Sequence, residues 1–570
     1  MTELQAAPWI VCPRDLAAEE RLRKELGVSS LVAAILAQRG FIDPSEADKF
    51  LHPRLEDLHD PRLLPDYEPA RNEILGARER KERIFVHGDY DVDGVTSASI
   101  LDRFLKKIGC DVITHVPHRM REGYGIHASA VEAAVATGAK LFLTCDCGIS
   151  AFEQVAAARE AGLRVVVTDH HTVHEELPEA HAVINPHRPD SVYPWPELSG
   201  AGVVLKLCAG LTTEVGWKTE QFYRAYLDLA ALGTIADVMP LLDENRIIAR
   251  HGLERLTDSR KVGIQALKRV SEIEGPVTAY HVGFRLGPRI NAAGRIDDAA
   301  LALELLLETD ETRAAKLAQQ IDAINTERRA EQERIIQEAI LMVTEKGQDK
   351  NNVIFVGHQS WHAGVVGIVA GRLVEVFRRP AFVATLGDDG KTGKASARSI
   401  PKFNLAQALQ SLDPLVSGGG HAMAAGCSFE YDDMDRIAEA LHEYAAEFLT
   451  EEDFKVTQFA DLEVDASEIT YEAVEQLRDL EPFGAANPEP IFVARDITFT
   501  QIKPTRSPQH MMLTMRNGTG KPIQGAGFGI GERLALLESG AEAHVLFRPC
   551  LDEWQGRTSL KWHVRDFALA

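Results

Sequence analysis

The sequence predicts an α/β fold in which a doubly wound parallel sheet is followed by a second, smaller α/β domain and a C-terminal β-barrel. The first observation is a series of short segments rich in Val, Ile and Phe, which begins at residue 83 and alternates with Ala-rich helical stretches. Buried apolar strands separated by helices are typical of a parallel sheet covered on both faces. The second is a helical pattern without Gly or Pro over residues 301–345. The third is a strand-rich tail after Glu489 that lacks long helical patterns.

Length and composition agree with several globular domains. The chain has 570 residues, which at roughly 150 residues per domain predicts about four domains. Apolar residues make up 45% and charged residues 26%, which excludes a largely disordered chain. No apolar stretch approaches a transmembrane helix, and the N-terminus does not resemble a secretory signal. The seven scattered cysteines argue for a reducing compartment, so we expect a cytoplasmic protein that does not contact a membrane.

The pattern divides the chain into five segments. In order they are an N-terminal helical lead-in to which no function is assigned, a first α/β domain, a connecting helix, a second α/β domain and a β-barrel, over residues 1–80, 81–300, 301–345, 346–450 and 451–570. Pro44 and Ser45 are a helix-start signal within the lead-in. We expect a glycine-rich loop just before the connecting helix.

Acidic and imidazole residues follow the predicted strands of the first α/β domain. They are His87, Asp89, Asp91, Asp93, Asp146, Asp169, His170 and His171, and Asp237 follows a later apolar run. The carboxyl ends of strands in an open α/β sheet converge on one crevice, so these side chains can meet there. A single Asp after a strand is more simply a helix cap, but four such strand ends favour a metal centre. Oxygen and imidazole ligands suit Mn²⁺ or Mg²⁺, and we expect two ions that assist phosphoester hydrolysis.

Cys145 and Cys147 flank Asp146 and could be mistaken for a zinc pair. Their spacing has no partner pair elsewhere in the chain, so we expect buried thiols.

Three of these motifs resemble the DHH phosphoesterase superfamily: DYDVDG at 89–94, TCDCGI at 144–149 and TDHH at 168–171. Seven further segments resemble its single-strand-specific exonucleases, namely PHRMREGYG, INPHRPD, SGAGVV, GPRINAAGRID, SARS, SGGGHAMAAG and LEPFGAANPEPIF. The resemblance runs from about residue 84 to 492. It implies a 5′-to-3′ exonuclease that releases mononucleotides from single-stranded DNA in recombination and repair. It also implies that the first α/β domain is the catalytic DHH domain. The second would be a substrate-binding DHHA1 domain, and the tail would be a nucleic-acid-binding OB fold.

The resemblance also implies roles for individual residues. Asp91, Asp93, Asp146, His170 and Asp237 would bind metal and, with His171 at the scissile phosphate, form the catalytic group. His87 would be a further ligand, and Asp89 either a ligand or an acid behind the ligands. Asp169 would orient an imidazole rather than bind metal.

A net charge of −23 repels phosphate, so a nucleic-acid enzyme with this composition needs local basic groups, metal ions or both. Arginine forks and bare glycine backbone can hold phosphate, although a glycine triplet alone would be a tight turn. Tyr124 could stack on a base or be the edge of a core. The candidate substrate-binding residues are Tyr124, Arg289, Asn291, Arg295, Arg372, Ser396, Arg398, Gly419, Gly420 and His421.

The tail has the opposite charge to the whole chain. Residues 491–570 contain ten Lys and Arg against seven Asp and Glu, a net of +3. Phe528, Trp554 and Trp562 are candidates for stacking on a single strand, unless they are core residues.

Two alternatives stay open. One is a small-substrate DHH phosphodiesterase that acts on oligonucleotides or cyclic dinucleotides. The other is a non-catalytic nucleic-acid-binding DHH protein. The presence of every acid and imidazole of the motifs counts against this loss of activity. Single-stranded DNA is the expected partner, and a single-strand-binding protein and a helicase are further candidates.

Overall fold

The structure, a computed structural model, describes residues 9–119, 122–296, 298–387, 390–455, 457–554 and 556–569. It begins with strand β1 and four helices: β1 Trp9–Val11, α1 Leu16–Leu26, α2 Ser30–Gln38, α3 Pro44–Leu51 and α4 Tyr67–Glu79. The predicted helix start is confirmed, because α3 begins at Pro44 and Asp43 caps it by accepting hydrogen bonds from the backbone N–H of Ser45 and Glu46.

The first α/β domain is built on five parallel strands in the order β3-β2-β4-β5-β6, which confirms the predicted doubly wound sheet. Its strands and helices are β2 Arg83–His87, α5 Val92–Lys107, β3 Asp111–His115, α6 Ala128–Ala136, β4 Leu141–Thr144, α7 Phe152–Glu160, β5 Arg164–Thr168 and β6 Ala182–Ile184. The strand order reverses between β2 and β4. Ligands of open α/β sheets bind outside the carboxyl ends at such a point.

A helical layer completes this domain and leads to the next. It contains α8 Gly200–Leu211, α9 Thr219–Ala236, α10 Asp243–Thr257, α11 Val262–Val270, α12 Ala279–His281, a π-helix Val282–Leu286, α13 Gly287–Ile296, α14 Ala300–Leu307 and α15 Glu311–Glu345. Two expectations are wrong here. The glycine-rich segment with Arg289, Asn291 and Arg295 is helix α13, not a loop. The single helix over 301–345 is two helices, because Glu308 is extended and Asp310 caps α15.

The second α/β domain has a mixed sheet in the order β10-β11-β9-β8-β7. Its elements are β7 Ile354–Gly357, α16 Ala363–Phe377, β8 Ala381–Leu386, β9 Thr392–Arg398, α17 Leu405–Gln410, β10 Val416–Gly420, β11 Ala424–Glu430 and α18 Met434–Ala446. The glycine triplet lies in the edge strand β10, so the tight turn considered for it is wrong. A side chain at Gly418 would collide with Cys427 on β11, which explains a glycine there.

The C-terminal domain is the predicted β-barrel. Strands β13-β14-β15-β16-β18-β17 follow one another, and an additional β14–β17 pairing closes the barrel. Its elements are β12 Gln458–Ala460, β13 Leu462–Glu463, α19 Tyr471–Gln476, β14 Phe492–Pro504, β15 His510–Asn517, β16 Ile523–Phe528, α20 Gly531–Leu534, β17 Glu542–Trp554 and β18 Arg557–Leu569. Trp562 is buried and stacks on Phe547 at 3.7 Å, so it is a core residue.

The N-terminal lead-in divides between two cores. Helix α4 packs in the core of the first α/β domain, whereas α1–α3 share a core with the barrel. Strand β1 also pairs in parallel with β12. The two ends of the chain therefore form one unit.

Buried Arg246 on α10 joins that unit to the first α/β domain. Its guanidinium donates to the backbone carbonyls of Phe50 and of residues 479–481. Leu241, shortly after the predicted ligand Asp237, donates its backbone N–H to the carbonyl of Ala485 at 2.9 Å. The LEPFGAANPEPIF segment thus supports the loop that follows Asp237. None of the described helices is both long and apolar enough to cross a membrane.

Candidate metal centre and phosphate site

Acidic and imidazole side chains meet at the carboxyl edge of the parallel sheet. They come from the loops after β2, β4 and β5, from the first turn of α5 and from the end of α9. Three sets of potential ligand atoms each lie within 4.8 Å of one another: Asp89, Asp91 and Asp146; Asp93, His170 and Asp237; and Asp146, His170 and His171. We call these seven residues the acidic centre.

Glycines and helix ends make room for the carboxylates. Asp91 caps α5 by accepting from the N–H of Gly94 at 3.0 Å, so the helix-cap interpretation also holds for this residue. Asp93 accepts from the N–H groups of Gly200 and Ala201 at the start of α8, at 2.6 and 2.9 Å. A Cβ atom at Gly200 would lie 2.7 Å from the Asp146 carboxylate, so a larger residue there would displace it.

Several buried polar atoms of the centre lack hydrogen-bond partners. His170 Nε2 lies 3.1 Å from Asp146 Oδ1, 3.6 Å from Asp237 Oδ2 and 3.7 Å from Asp93 Oδ2. It nevertheless has no properly oriented hydrogen bond, and neither do Asp146 Oδ1 and Asp89 Oδ1. Asp146 also has a strained φ of +62°. Unpaired buried donors and acceptors are costly, and carboxylate oxygens with an imidazole nitrogen are a donor set for Mn²⁺ or Mg²⁺.

Crowding in the centre disfavours the charged carboxylates. Burial and the charge of Asp91 raise the pKa of Asp93 to about 7. Burial, followed by the charges of Asp93 and Asp91, raises the pKa of Asp237 to about 8 and that of Asp146 well above its usual value. Burial raises the pKa of Asp89, and the charge of Asp91 adds to it. A divalent cation would offset both the burial and the repulsion that produce these shifts.

Asp169 supports His171 and is not a member of the three sets of potential ligands. It is fully buried and accepts from the backbone N–H of Ile149, His170 and His171, and from His171 Nδ1 at 2.8 Å. Burial lowers the pKa of His171, but the hydrogen bond to Asp169 and its charge outweigh burial and raise it to about 9. The Tyr124 hydroxyl lies 3.0 Å from the same Nδ1, so this tyrosine contacts a catalytic candidate rather than forming the edge of a core.

His87 is not brought into the acidic centre. Its Nε2 lies 3.2 Å from the carbonyl oxygen of Gly125, and its Nδ1 lies 3.2 Å from His115 Nδ1. Burial and the charge of His115 lower its pKa to about 4. Within the described residues it belongs to none of the three ligand sets. Cys145 and Cys147 are buried free thiols, as expected.

Four arginines gather beside the acidic centre, where the two α/β domains meet. Burial, followed by the charges of Arg119 and Arg328, lowers the pKa of Arg295 to about 10, and Arg398 adds to the effect. Arg295 donates to the carbonyl of Gly364 on α16 at 3.1 Å. Arg119 lies over the ring of Tyr90, between Asp89 and Asp91, at 4.8 Å. These residues, Arg119, Arg295, Arg328 and Arg398, are the arginine cluster.

Sequence reasoning missed two members of this cluster. Arg119 lies in the PHRMREGYG motif, where nothing marks it as a phosphate ligand. Arg328 falls within residues 327–338, whose interleaved charges are typical of a solvated helix face. Arg328 is half-buried, and its Nε is buried without a hydrogen-bond partner. Asp322, six residues earlier on the same helix, pairs with Arg289 at 2.8 Å. The charge pattern of the helix alone does not distinguish the half-buried Arg328 from the ion-paired Asp322.

One face of the second sheet carries most of the remaining candidates. The antiparallel register places Gly419 opposite Gly426 and Gly426 opposite Ser396, and residues two apart on a strand share a face. Ser396, Arg398, Gly419 and His421 therefore lie on one face, and Gly420 is on the other. On that face, a Cβ at Gly367 of α16 would lie 3.5 Å from Ser396 and 3.7 Å from Arg398.

Three other substrate candidates are not placed in this cluster by their contacts. Arg289 is held by Asp322 and by the carbonyls of Arg285 and Val270. Arg372 is exposed and pairs with Glu375 at 2.7 Å. Asn291 lies on α13 and is half-buried.

The barrel presents one of the three predicted aromatics. Phe528 is 54% exposed and lies edge-on to His510 and His563. Trp562 is a core residue, and the side chain of Trp554 lies outside the described residues. Phe528 is thus the candidate for stacking on a single strand.

Comparisons with known proteins agree with this architecture. The family signatures that match are the DHH family, N-terminal domain, over residues 83–234, the DHHA1 domain over 350–447 and the RecJ OB domain over 460–566. The single-stranded-DNA-specific exonuclease RecJ of Bacillus subtilis (strain 168) is 36% identical over 565 residues, which cover 99% of this chain and 71% of that protein.

Two solved structures of RecJ from Thermus thermophilus have the same fold. The complex with Mn²⁺ matches with a TM-score of 0.85 at 29% identity, over 99% of this chain and 80% of that one. The complex with Mg²⁺ matches with a TM-score of 0.79 at 28% identity, over 100% and 79%. With its three domains in the same order and more than a third of its residues identical to a RecJ protein, the chain belongs to the RecJ family of DHH proteins.

Proposed function

We propose that the chain is a metal-dependent exonuclease that hydrolyses single-stranded DNA from its 5′ end and releases mononucleotides, in DNA recombination and repair. One observation carries this proposal: a centre of buried, unpaired carboxylate and imidazole atoms lies next to a half-buried arginine cluster. Tyr90 connects the acidic centre to the arginine cluster, because it lies between Asp89 and Asp91 in the sequence and its ring lies under Arg119. The arrangement suits a phosphate group between cations on both sides.

The acidic centre would hold two Mn²⁺ or Mg²⁺ ions through Asp91, Asp93, Asp146, His170 and Asp237, with Asp89 as a further ligand. Bound there, the ions would stabilise charge on the phosphoryl oxygens and lower the pKa of an attacking water. The donor set and its unpaired atoms support this assignment. The contacts of His87 favour a role in holding the loop around Gly125 instead of metal binding.

The chain's own residues would position the substrate. His171, kept protonated by Asp169, would place a positive charge against the scissile phosphate. Arg295 and Arg398 would bind the 5′-terminal phosphate as forked donors, with Ser396 and the exposed backbone around Gly419 beside them.

We also propose that the protein acts in the cytoplasm and receives its substrate from other proteins. All seven cysteines are free, which supports a reducing compartment. An enzyme specific for unpaired strands needs a source of them, which supports a helicase and a single-strand-binding protein as partners.

The test is digestion of a long single strand with different labels at its two ends, in Mn²⁺ or Mg²⁺. We expect early release of the 5′ label as a mononucleotide, and intact duplex and RNA copies in parallel reactions. Early release of the 3′ label would overturn the polarity. Inertness toward long strands together with cleavage of dinucleotides would favour a small-substrate phosphodiesterase instead.

A further inference from the structure

A wide cleft with an excess of positive charge lies on the first α/β domain, away from the acidic centre and the arginine cluster. Its volume is about 1120 Å³. Six basic and three acidic side chains line it, a local net charge of +3 in a chain of net charge −23. The basic ones are Arg103, Arg224, Arg255, Arg260, Lys261 and Lys268. We call this surface the basic cleft.

Two helices connect the basic cleft to the acidic centre and set the distance between them. Asp93 lies in the first turn of α5, and Arg103 lies ten residues later on the same helix, about 15 Å along its axis. Asp237 caps the end of α9, and Asp228 lies nine residues before it, about 14 Å away. The cleft is therefore at the far end of both helices. Its described lining residues include none of those assigned above to metal or phosphate binding.

The arginines of the cleft are available to a ligand. Arg255 in the last turn of α10 and Arg260 in the loop before α11 are exposed. Neither side chain has a hydrogen bond or an ion pair with another residue that the structure describes. Arg224 is also exposed and pairs with Glu220 one turn earlier on α9, a surface ion pair of the kind that contributes little stability. Exposed guanidinium groups of this kind can donate to phosphate oxygens as forks.

Most of the acidic charge in the cleft is already neutralised. Asp228 accepts from Lys261 Nζ with both carboxylate oxygens, at 2.7 and 2.8 Å. Glu308 pairs with Arg313 at 3.1 Å. Asp258 is exposed and is the remaining acid of the lining. The charge that the cleft offers to a ligand is therefore positive.

The lining residues indicate which class of ligand fits. Lys261 is held by Asp228, and Lys268 donates to the carbonyls of residues 256 and 257 at the end of α10, so the lysines do not form a pocket for a small anion. None of the described lining residues is aromatic, so the cleft has no surface on which a base could stack. Exposed arginines on several elements are the pattern that contacts a phosphate backbone without reading its bases.

We propose that the basic cleft binds the sugar–phosphate backbone of a distant segment of the single strand whose 5′ end is held at the acidic centre. The direct path between the two sites is filled by the buried core around α5 and α9, so a strand reaches the cleft only by passing round the domain. A strand held at this second point stays at a high effective concentration near the acidic centre after each nucleotide is removed. The inference rests on the proposed function, because it assigns a binding site to the remote part of that substrate.

The experiment compares two strand lengths and three proteins. The strands are 5′-phosphorylated thymidine homopolymers of about 8 nucleotides, comparable with the site of one OB fold, and of about 80 nucleotides. The proteins are the wild type, the cleft variant Arg255→Glu/Arg260→Glu and the control Lys140→Glu/Arg269→Glu, which reverses two exposed charges of the same domain outside the cleft. We expect the cleft variant to raise the half-saturating concentration of the long strand roughly 5- to 20-fold and that of the short strand less than about twofold. The control should change neither by more than about twofold.

Ionic strength gives a readout that a purely structural defect would not move. The logarithm of the association constant for a single strand falls with the logarithm of the salt concentration, by about 0.7 for each phosphate contact. Arg255→Gln/Arg260→Gln removes two such contacts without reversing the charge, so the slope for the long strand should become shallower by about 1 to 2. This variant also serves as the second test should the glutamate variant be unstable.

Two outcomes overturn the proposal. One is that the cleft variant binds and degrades the long strand as the control does, in which case the exposed arginines serve another ligand, such as an acidic protein segment. The other is an equal loss on the short and the long strand, which would mean that the substitutions act on the metal centre.

Failure of the cleft proposal and failure of the proposed function are distinguishable. A circular single strand has no 5′ end, so its binding, measured by competition with a labelled long strand, does not depend on hydrolysis. If the wild type cleaves no strand, the exonuclease proposal fails, and weaker binding of the circle by the cleft variant still supports the cleft. If the wild type cleaves long strands but binds the circle no better than the cleft variant does, only the cleft proposal fails.

Discussion

The acidic centre and the arginine cluster are neighbours with opposite electrostatic problems. The first crowds buried carboxylates, whose pKa values rise because burial, and then the charge of each neighbour, disfavours the charged form. The second crowds half-buried guanidinium groups, and the pKa of Arg295 falls for the same reason with the opposite sign. Burial of like charges is costly unless a counter-charge is bound. The comparison supports the proposal that each cluster binds a ligand of opposite charge, cations in the acidic centre and a phosphate in the arginine cluster.

The two halves also differ in the elements that build them. Strand ends of one parallel sheet supply most of the acidic centre, so its geometry is fixed by a buried core. The arginine cluster draws on a loop, on helices α13 and α15 and on strand β9 of the second α/β domain. Its geometry therefore depends on how the two domains meet.

The largest expected loss of activity comes from a substitution in the acidic centre. Asp146→Asn removes a central carboxylate charge without changing size, and we expect hydrolysis of single-stranded DNA to fall roughly 10³-fold or more. Binding of a 5′-phosphorylated strand should change little. Initial rates and fluorescence anisotropy check the two statements, with Asp435→Asn, an exposed acid on α18, as the control. Normal activity of Asp146→Asn would contradict the assignment of the centre.

A smaller effect is expected from Asp169, which stabilises the protonated form of His171 in the acidic centre. His171 has a raised pKa of about 9 because Asp169 supports its charged form, so its proton is lost as the pH rises through about 9. Asp169→Asn should lower activity roughly 10- to 100-fold and move the alkaline limb of the pH–rate profile to lower pH. The profile of kcat/KM from neutral pH upward measures this. An unmoved limb would show that the limb belongs to another group.

Substitutions in the arginine cluster should affect substrate binding more than the rate of hydrolysis. Arg398→Ala should raise KM for a 5′-phosphorylated strand about tenfold and leave the rate for a 5′-hydroxyl strand nearly unchanged. Arg372→Ala is the matched control, because the Arg372 guanidinium is exposed and pairs with Glu375. Equal losses in the two variants, or equal losses on the two strands, would remove Arg398 from the phosphate site.

The smallest effect concerns the stability of metal-free protein. The pKa values of Asp93 and Asp237, about 7 and 8 when folded, lie above the ordinary value of 3.8. A raised folded pKa contributes stability that is full below about pH 4 and is lost progressively as the pH rises from about 4 to 8. We expect the Tm to fall by at least about 2 °C over this range, and Mn²⁺ to reverse the fall. Melting curves at several pH values test it, and a Tm independent of metal at pH 8 would count against a cation site.

The sequence predicted the acidic centre better than the arginine cluster, for a physical reason. Asp91, Asp146 and His170 follow strands, and parallel strands bring their carboxyl ends together whatever the rest of the chain does. Arg119 and Arg328 become part of a site only through the contact between domains, which no local pattern encodes. The family resemblance implies that His87 is a ligand, yet its ring nitrogens lie beside the Gly125 carbonyl and His115.

The fold shows the same contrast. The sheets and the barrel follow from local alternation of apolar residues, and their classes are confirmed. The helical lead-in was given no role, because its packing partner is the barrel more than 400 residues away. The break between α14 and α15 could have been foreseen, since Thr309 and Asp310 are poor in the middle of a helix and Asp is a good cap.

The most direct test of this division of roles is a crossed single-turnover experiment on a 5′-phosphorylated single strand. It measures the maximal cleavage rate and the half-saturating enzyme concentration for wild type, Asp146→Asn, Arg398→Ala and the double variant. We predict that Asp146→Asn lowers only the rate, that Arg398→Ala raises mainly the half-saturating concentration, and that the double variant shows both losses. If both single variants lowered the rate alone, or if neither changed binding, the two clusters would not divide catalysis and phosphate recognition as described.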